Sequence, residues 1–137
     1  SMLKGKSPQV AMPEGPVHTY AYTADMGRGL LELASDENAF GQEFHLPVGP
    51  PVNISDMAAM FNKELGTAFS VTHIPDIILR GLSLFKPLIK EVHEMSYQYK
   101  TDYVMSDAKF RQRFPAFAST PYEDGIAAMV RNFRKNG

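Results

Sequence analysis

Short strand-like runs alternate with amphipathic helical runs along this chain, and the strand-like runs are too few to build a self-contained sheet. His18-Thr19-Tyr20-Ala21-Tyr22-Thr23 is aromatic and β-branched and reads as a strand. Asp25 then reads as a helix N-cap, with Met26, Leu30, Leu33 and Ala34 on one face of the helix it opens. Glu43 to Val48 reads as a second strand, stopped by Gly49-Pro50-Pro51. Ser55 is the expected cap of the next helix, whose apolar stripe is Met57, Met60, Phe61 and Leu65 and whose stop is Gly66. Phe69 to Ile74 reads as a third strand, and Pro75-Asp76 starts an apolar helix to about Phe85. Pro87 restarts helix as far as Met95, Tyr97 to Met105 reads as extended, and Ser106 caps a short helix over Asp107 to Phe114. Thr120-Pro121-Tyr122-Glu123 has the capping-box arrangement, followed by the stripe Tyr122, Ile126, Met129, Val130 and Phe133. The alternation predicts an α/β fold, a small mixed sheet of about three or four short strands packed with about five helices. A sheet that small has edges that must be covered or paired.

A length of 137 residues suits one domain. Residues 1–16, with Pro8, Pro13, Pro16, Gly5 and Gly15, are expected to be an irregular lead-in to a single domain over 17–137. Ser1 before Met2 looks like a residue left by an expression tag. A net charge of -1 gives no electrostatic reason to expect nucleic acid or an anionic membrane as partner. The chain lacks cysteine, which excludes disulfides, thiolate metal sites and a cysteine nucleophile and fits a reducing, cytoplasmic setting. No run approaches the roughly 20 apolar residues that span a bilayer.

Several chemistries are missing. The close glycine pair Gly27-Arg28-Gly29 falls inside a predicted helix, and a third glycine of the dinucleotide fingerprint would stand where Glu32 is. No tyrosine is followed four residues later by lysine, the pairing that makes a phenol an acid or base near neutral pH. His18, His45, His73 and His93 show no metal-binding spacing. No nucleophile–base pair marks a small hydrolase.

The order of segments resembles a known family. His18 through Leu30 resembles the strand, aspartate and helix that follow the catalytic part of extended and atypical short-chain dehydrogenases, the NAD(P)-dependent epimerase/dehydratase group. Gly41-Gln42-Glu43-Phe44-His45-Leu46-Pro47-Val48 resembles a further strand of that group, and Asn53-Ile54-Ser55-Asp56-Met57-Ala58 its polar turn and helix start. Ser106-Asp107-Ala108-Lys109-Phe110 and Thr120 to Ile126 resemble its closing segments. The resemblance implies the C-terminal, substrate-binding lobe of such an enzyme, lacking most of the Rossmann domain. NAD or NADP would belong to the parent enzyme and no cofactor to this chain alone. The implied substrate is a small molecule bearing a hydroxyl or carbonyl group, sugar-related or smaller. Where nucleotide-sugar epimerases carry arginine, this chain has His18, so a guanidinium clamp on a diphosphate does not transfer.

The candidate substrate contacts are His18, Tyr22, Tyr97, Tyr99 and Lys100. Aromatic packing competes with a cleft role for His18 and Tyr22, and a strand with one exposed lysine competes with it for the others. Asp25 is expected to act only as a cap. Ile77, Ile78, Leu82 and Phe85 are read mainly as core, with a substrate lid, a dimer surface or a membrane-facing stripe as other uses. The resemblance also implies an orphaned strand at Phe44 to Val48, and hence a homodimer through that edge or through the Ile77–Phe85 face. The alternative to an enzyme portion is a free-standing binding or dimerisation module derived from the lobe.

Overall fold

In the computed structural model, residues 2–11, 13–75, 77–78, 81 and 87–136 are described. The elements are β1 (Gln9–Val10), α1 (Thr23–Ala34), α2 (Ile54–Leu65), β2 (Thr72–His73), α3 (Pro87–Glu94), α4 (Ala108–Arg113) and α5 (Tyr122–Asn136), with 3-10 turns at Met2–Lys4, Glu37–Ala39 and Met95–Tyr99.

The α/β character holds, but the sheet is smaller than expected. Among the described residues it is one parallel pair, Gln9 opposite Thr72 and Val10 opposite His73. Residues 1–16 are therefore not wholly irregular: β1 supplies half of that sheet. The segment around His18 makes single bridges, antiparallel to Val52 and parallel to Tyr103. His18 N donates to the Val52 carbonyl at 3.0 Å and Val52 N returns a bond at 2.9 Å. Thr19 N donates to Tyr103 O at 3.1 Å, and Tyr103 N to Val17 O at 2.9 Å. This three-segment ribbon is the frame of the molecule. It stays short because Thr23 already belongs to α1 and because Pro50 and Pro51 cannot donate to a ladder. Glu43 to Val48 forms no ladder among the described residues. Its bonds go to side chains instead, with Val48 N donating to Asp107 Oδ2 at 3.1 Å and Lys109 Nζ to Glu43 O at 2.8 Å. Tyr97 is in a 3-10 turn rather than a strand, and only Tyr103 of the predicted 97–105 strand is bridged.

The described helices form where the apolar stripes predict them, but four caps differ, among them that of α4, where Asp107 rather than Ser106 holds the cap position. Tyr22 caps α1 with extended backbone, and Asp25 lies one turn inside, 2% exposed. Asn53 caps α2, accepting from Asp56 N at 2.8 Å while its own amide donates to Asp56 Oδ2 at 2.8 Å. Asn53 replaces Ser55 in this role because the helix begins at Ile54, which leaves Ser55 already inside its first turn. Gly66 ends α2 in the left-handed conformation, φ 68°, which L side chains avoid. Thr120 stands two residues ahead of α5, which begins at Tyr122, and its hydroxyl donates to Asp25 Oδ1 at 2.7 Å.

The core lies where α2 and α5 pack on each other and α4 plugs in beneath α1. Ile126 and Val130 of α5, Ala58 of α2 and Val52 of the ribbon are buried, and Phe110 of α4 is completely so. Phe110 packs against Phe114 (centroids 4.9 Å) and edge-on to Phe117 (5.2 Å). Of the Ile77, Ile78, Leu82, Phe85 group, Ile77 and Ile78 are exposed rather than core, while Leu82 and Phe85 lie outside the described residues. No helix among the described residues is long and apolar enough to cross a membrane.

Candidate functional site

His18 sits in the middle of the ribbon, so its side chain is surrounded by aromatic rings from three separate segments. Tyr20 (ring centroids 6.4 Å), Tyr99 (6.3 Å) and Tyr103 (6.3 Å) enclose it. Tyr20 follows because residues two apart on an extended segment share a face. Tyr103 is brought in by its bridge to His18, and Tyr99 by the 3-10 turn that precedes it. The imidazole is 8% exposed and its Nε2 is buried without a hydrogen-bond partner. Leaving a buried polar nitrogen unpaired costs about 1–3 kcal/mol, and such a group marks a place where a ligand atom is a natural complement.

Tyr20 connects this cluster to a second aromatic group. It meets Tyr122 edge-on at 6.5 Å. The Tyr122 hydroxyl donates to Pro50 O at 2.8 Å and accepts from Tyr20 N at 3.1 Å, tying α5 to the ribbon. Gly49 makes this possible, since a Cβ there would collide with the Tyr122 ring. Burial first, then the neighbouring Tyr122 and Tyr99, push the Tyr20 phenol above its usual range, and burial does the same to Tyr122. Both phenols therefore stay protonated near neutral pH and neither is set up as a base.

Of the five candidate contacts, His18 and Tyr99 are brought together. Tyr22 lies apart, against Gly125 and lining a cavity with Tyr20 and Tyr122. Tyr97 is 67% exposed, and its hydroxyl accepts from Gln98. Lys100 is exposed at the end of the 3-10 turn. The ring that sequence reasoning passed over is Tyr103. The alternation Asp102-Tyr103-Val104 carried a strand signal, but nothing in it named His18 as the strand's neighbour.

Asp25 is the other functionally placed residue that a capping role did not anticipate. Its buried carboxylate accepts from Arg28 Nη2 at 2.5 Å, Thr120 Oγ1 at 2.7 Å and Thr120 N at 2.6 Å. Burial raises its pKa, but these bonds outweigh burial and the net shift is downward. It fixes the turn that leads into α5, and with it the position of Tyr122.

The Gly27–Gly29 pair does not form a dinucleotide-binding turn. Gly27 and Gly29 lie inside α1, and Gly29 is buried there against Leu46, Pro47 and Phe110. It serves close packing between helix and loop, not the approach of a pyrophosphate. Among the described residues, no three His, Cys, Asp or Glu side chains converge in a metal-binding group.

The fold is similar to part of a known α/β protein. The chain is similar in structure to the UDP-glucuronic acid 4-epimerase from Bacillus cereus, solved in complex with NAD, with a TM-score of 0.69 at 15% sequence identity. The likeness covers 98% of this chain and 37% of that one, so the chain spans little more than a third of the epimerase's length. No protein-family model matches the chain. No curated protein matches it either.

Proposed function

We propose that this chain is the substrate-side portion of an NAD(P)-dependent epimerase or related oxidoreductase, acting on a small molecule that bears a hydroxyl or carbonyl group. One observation carries the reading: nearly the whole chain superposes on part of an NAD-dependent sugar epimerase. The order of motifs from His18 to Ile126 and the orphaned His18 Nε2 beside Tyr99 support it. Hydride transfer to or from a carbon bearing oxygen is the chemistry the cofactor would supply, and this chain's part is to hold the substrate. His18 and Tyr99 are the residues assigned to that contact, with Lys100 and Tyr97 at its outer margin.

Calorimetry tests the division of labour. The isolated chain is expected to show no micromolar binding of NAD(H) or NADP(H). A longer polypeptide that includes the coding sequence ahead of Met2 is expected to bind one of them. Micromolar binding by the chain alone would overturn the reading, as would the absence of a nucleotide-binding segment upstream in the gene.

A module that self-associates is a second reading, and one feature favours it. Leu30, Leu31 and Phe40 are 57%, 68% and 62% exposed beside the segment Glu43 to Val48 that joins no ladder. Such a face and edge suit a homodimer.

A further inference from the structure

The cavity lined by Tyr20, Tyr22 and Tyr122, of about 240 Å³, lies between the Tyr20–Tyr22 segment, α2 and α5, and His18 does not line it. Its floor is Pro47, Gly125 and Ile126, all buried, and its wall is Met57 and Phe61 of α2. Its mouth carries Met129, 47% exposed, so solvent-borne molecules have a way in. Its carboxylate and one of its phenols are already committed, and the other polar groups lining it, the Tyr20 and Tyr22 phenols, are uncharged. Asp25 is occupied by Arg28 and Thr120, and the Tyr122 hydroxyl by Pro50 O and Tyr20 N. No unpaired charge is available to receive an ionic ligand, and a charge placed here would lose its hydration without compensation. Met57 and Met129 are unbranched and polarisable, side chains that adapt to rings and make favourable sulfur–aromatic contacts. A dry apolar cavity of about 150 Å³ is known to hold benzene, so this one is large enough for a substituted or fused ring.

We propose that this cavity is a binding site for a neutral, largely apolar ring compound. The inference does not rest on the epimerase reading, and its test uses no nicotinamide. The whole chain is titrated with 1-naphthol, following the methyl signals of Met57 and Met129 by NMR together with thermal melts. The charged counterpart of the same shape, 1-naphthalenesulfonate, is titrated alongside. The expected result is saturable shifts confined to the Met57 and Met129 methyls, a raised melting temperature, and binding of the sulfonate weaker by about tenfold or more. Met129→Trp narrows the mouth at a half-exposed position and is expected to weaken 1-naphthol by about tenfold or more with the melt retained. Ala21→Trp narrows the same mouth from an exposed position between Tyr20 and Tyr22 and serves if the first variant folds poorly. Absence of saturable shifts, equal binding of the sulfonate, or undiminished binding in a folded mouth variant would each overturn the proposal.

Discussion

Asp25 and Thr120 are 95 residues apart in sequence and are joined by two hydrogen bonds, Thr120 N to Oδ2 at 2.6 Å and Thr120 Oγ1 to Oδ1 at 2.7 Å. Through this pair the first turn of α1 decides where α5 begins. Arg28, one turn further along α1, neutralises the carboxylate and reaches the Ala118 carbonyl at 3.0 Å, closing the clamp. Asp25→Ala leaves Arg28 and the Thr120 donors without their acceptor. The expected cost is about 3 kcal/mol in urea unfolding. A loss below about 1 kcal/mol would show that the clamp is incidental.

The two glycines of α1 should respond in opposite directions. A Cβ at Gly27 meets nothing within 4 Å, so Gly27→Ala gains helix propensity and should stabilise by about 1 kcal/mol. A Cβ at Gly29 would lie 3.1 Å from Leu46 Cδ2 and 3.3 Å from Pro47 Cδ. Pro47 is fully buried and cannot swing aside. Gly29→Val should therefore cost about 2 kcal/mol or more despite leaving glycine. Thermal melts of the two variants decide it, and equal shifts would refute the packing role.

His18 should be dispensable for folding. Replacing it by phenylalanine keeps a ring among Tyr20, Tyr99 and Tyr103 and removes the orphaned Nε2. His18→Phe is expected to leave stability unchanged or raise it by about 1 kcal/mol. In the longer polypeptide the same change should abolish substrate binding without altering nicotinamide affinity. A large loss of stability would make His18 a structural residue instead.

Acid should weaken the fold through its paired aspartates. The hydrogen bonds from Arg113 hold the Asp36 carboxyl at about 2, against an ordinary 3.8. Asp25 and Asp107 are also lowered; in both, burial works in the opposite direction and hydrogen bonds to Arg28 and Thr120, or to Arg111 and Val48 N, prevail. A depressed carboxyl stabilises in full above its unfolded pKa and loses that contribution as pH falls through the folded one. The melting temperature should thus hold down to roughly pH 4 and fall toward pH 2, and Asp36→Asn should shrink the drop. A pH-independent melt over that window would contradict the ion-pair geometry.

Self-association should depend on the exposed apolar residues of α1 and on Phe40 at the end of the 3-10 turn that follows it. Analytical ultracentrifugation is expected to show a concentration-dependent dimer that Leu31→Glu with Phe40→Glu converts to monomer. A monomer at every concentration would dispose of the dimer reading.

The helices were legible because each carries a local record of itself. Met57 and Phe61, or Ile126, Met129 and Val130, repeat at helical spacing whatever the rest of the chain does, and Gly66 marks a stop for purely local reasons. The caps were only half legible. Thr120 has the right chemistry for capping α5, but the helix begins only at Tyr122, and the Thr120 hydroxyl donates to a buried carboxylate of α1 that no local pattern names. The strands were least legible, since a run such as Glu43 to Val48 states a preference for extended backbone and not whether a partner exists.

The sequence alone determined where the described helices lie, and that the chain carries neither a glycine-rich dinucleotide motif nor a tyrosine with lysine four residues later. Those are properties of neighbours along the chain, set by side-chain spacing and the chemistry of short motifs. The tertiary structure decided that His18 is enclosed by Tyr99 and Tyr103, that Asp25 grips Thr120, and that an apolar cavity remains between α2 and α5. Those depend on contacts between residues tens of positions apart, whose geometry is fixed only when all the elements pack at once.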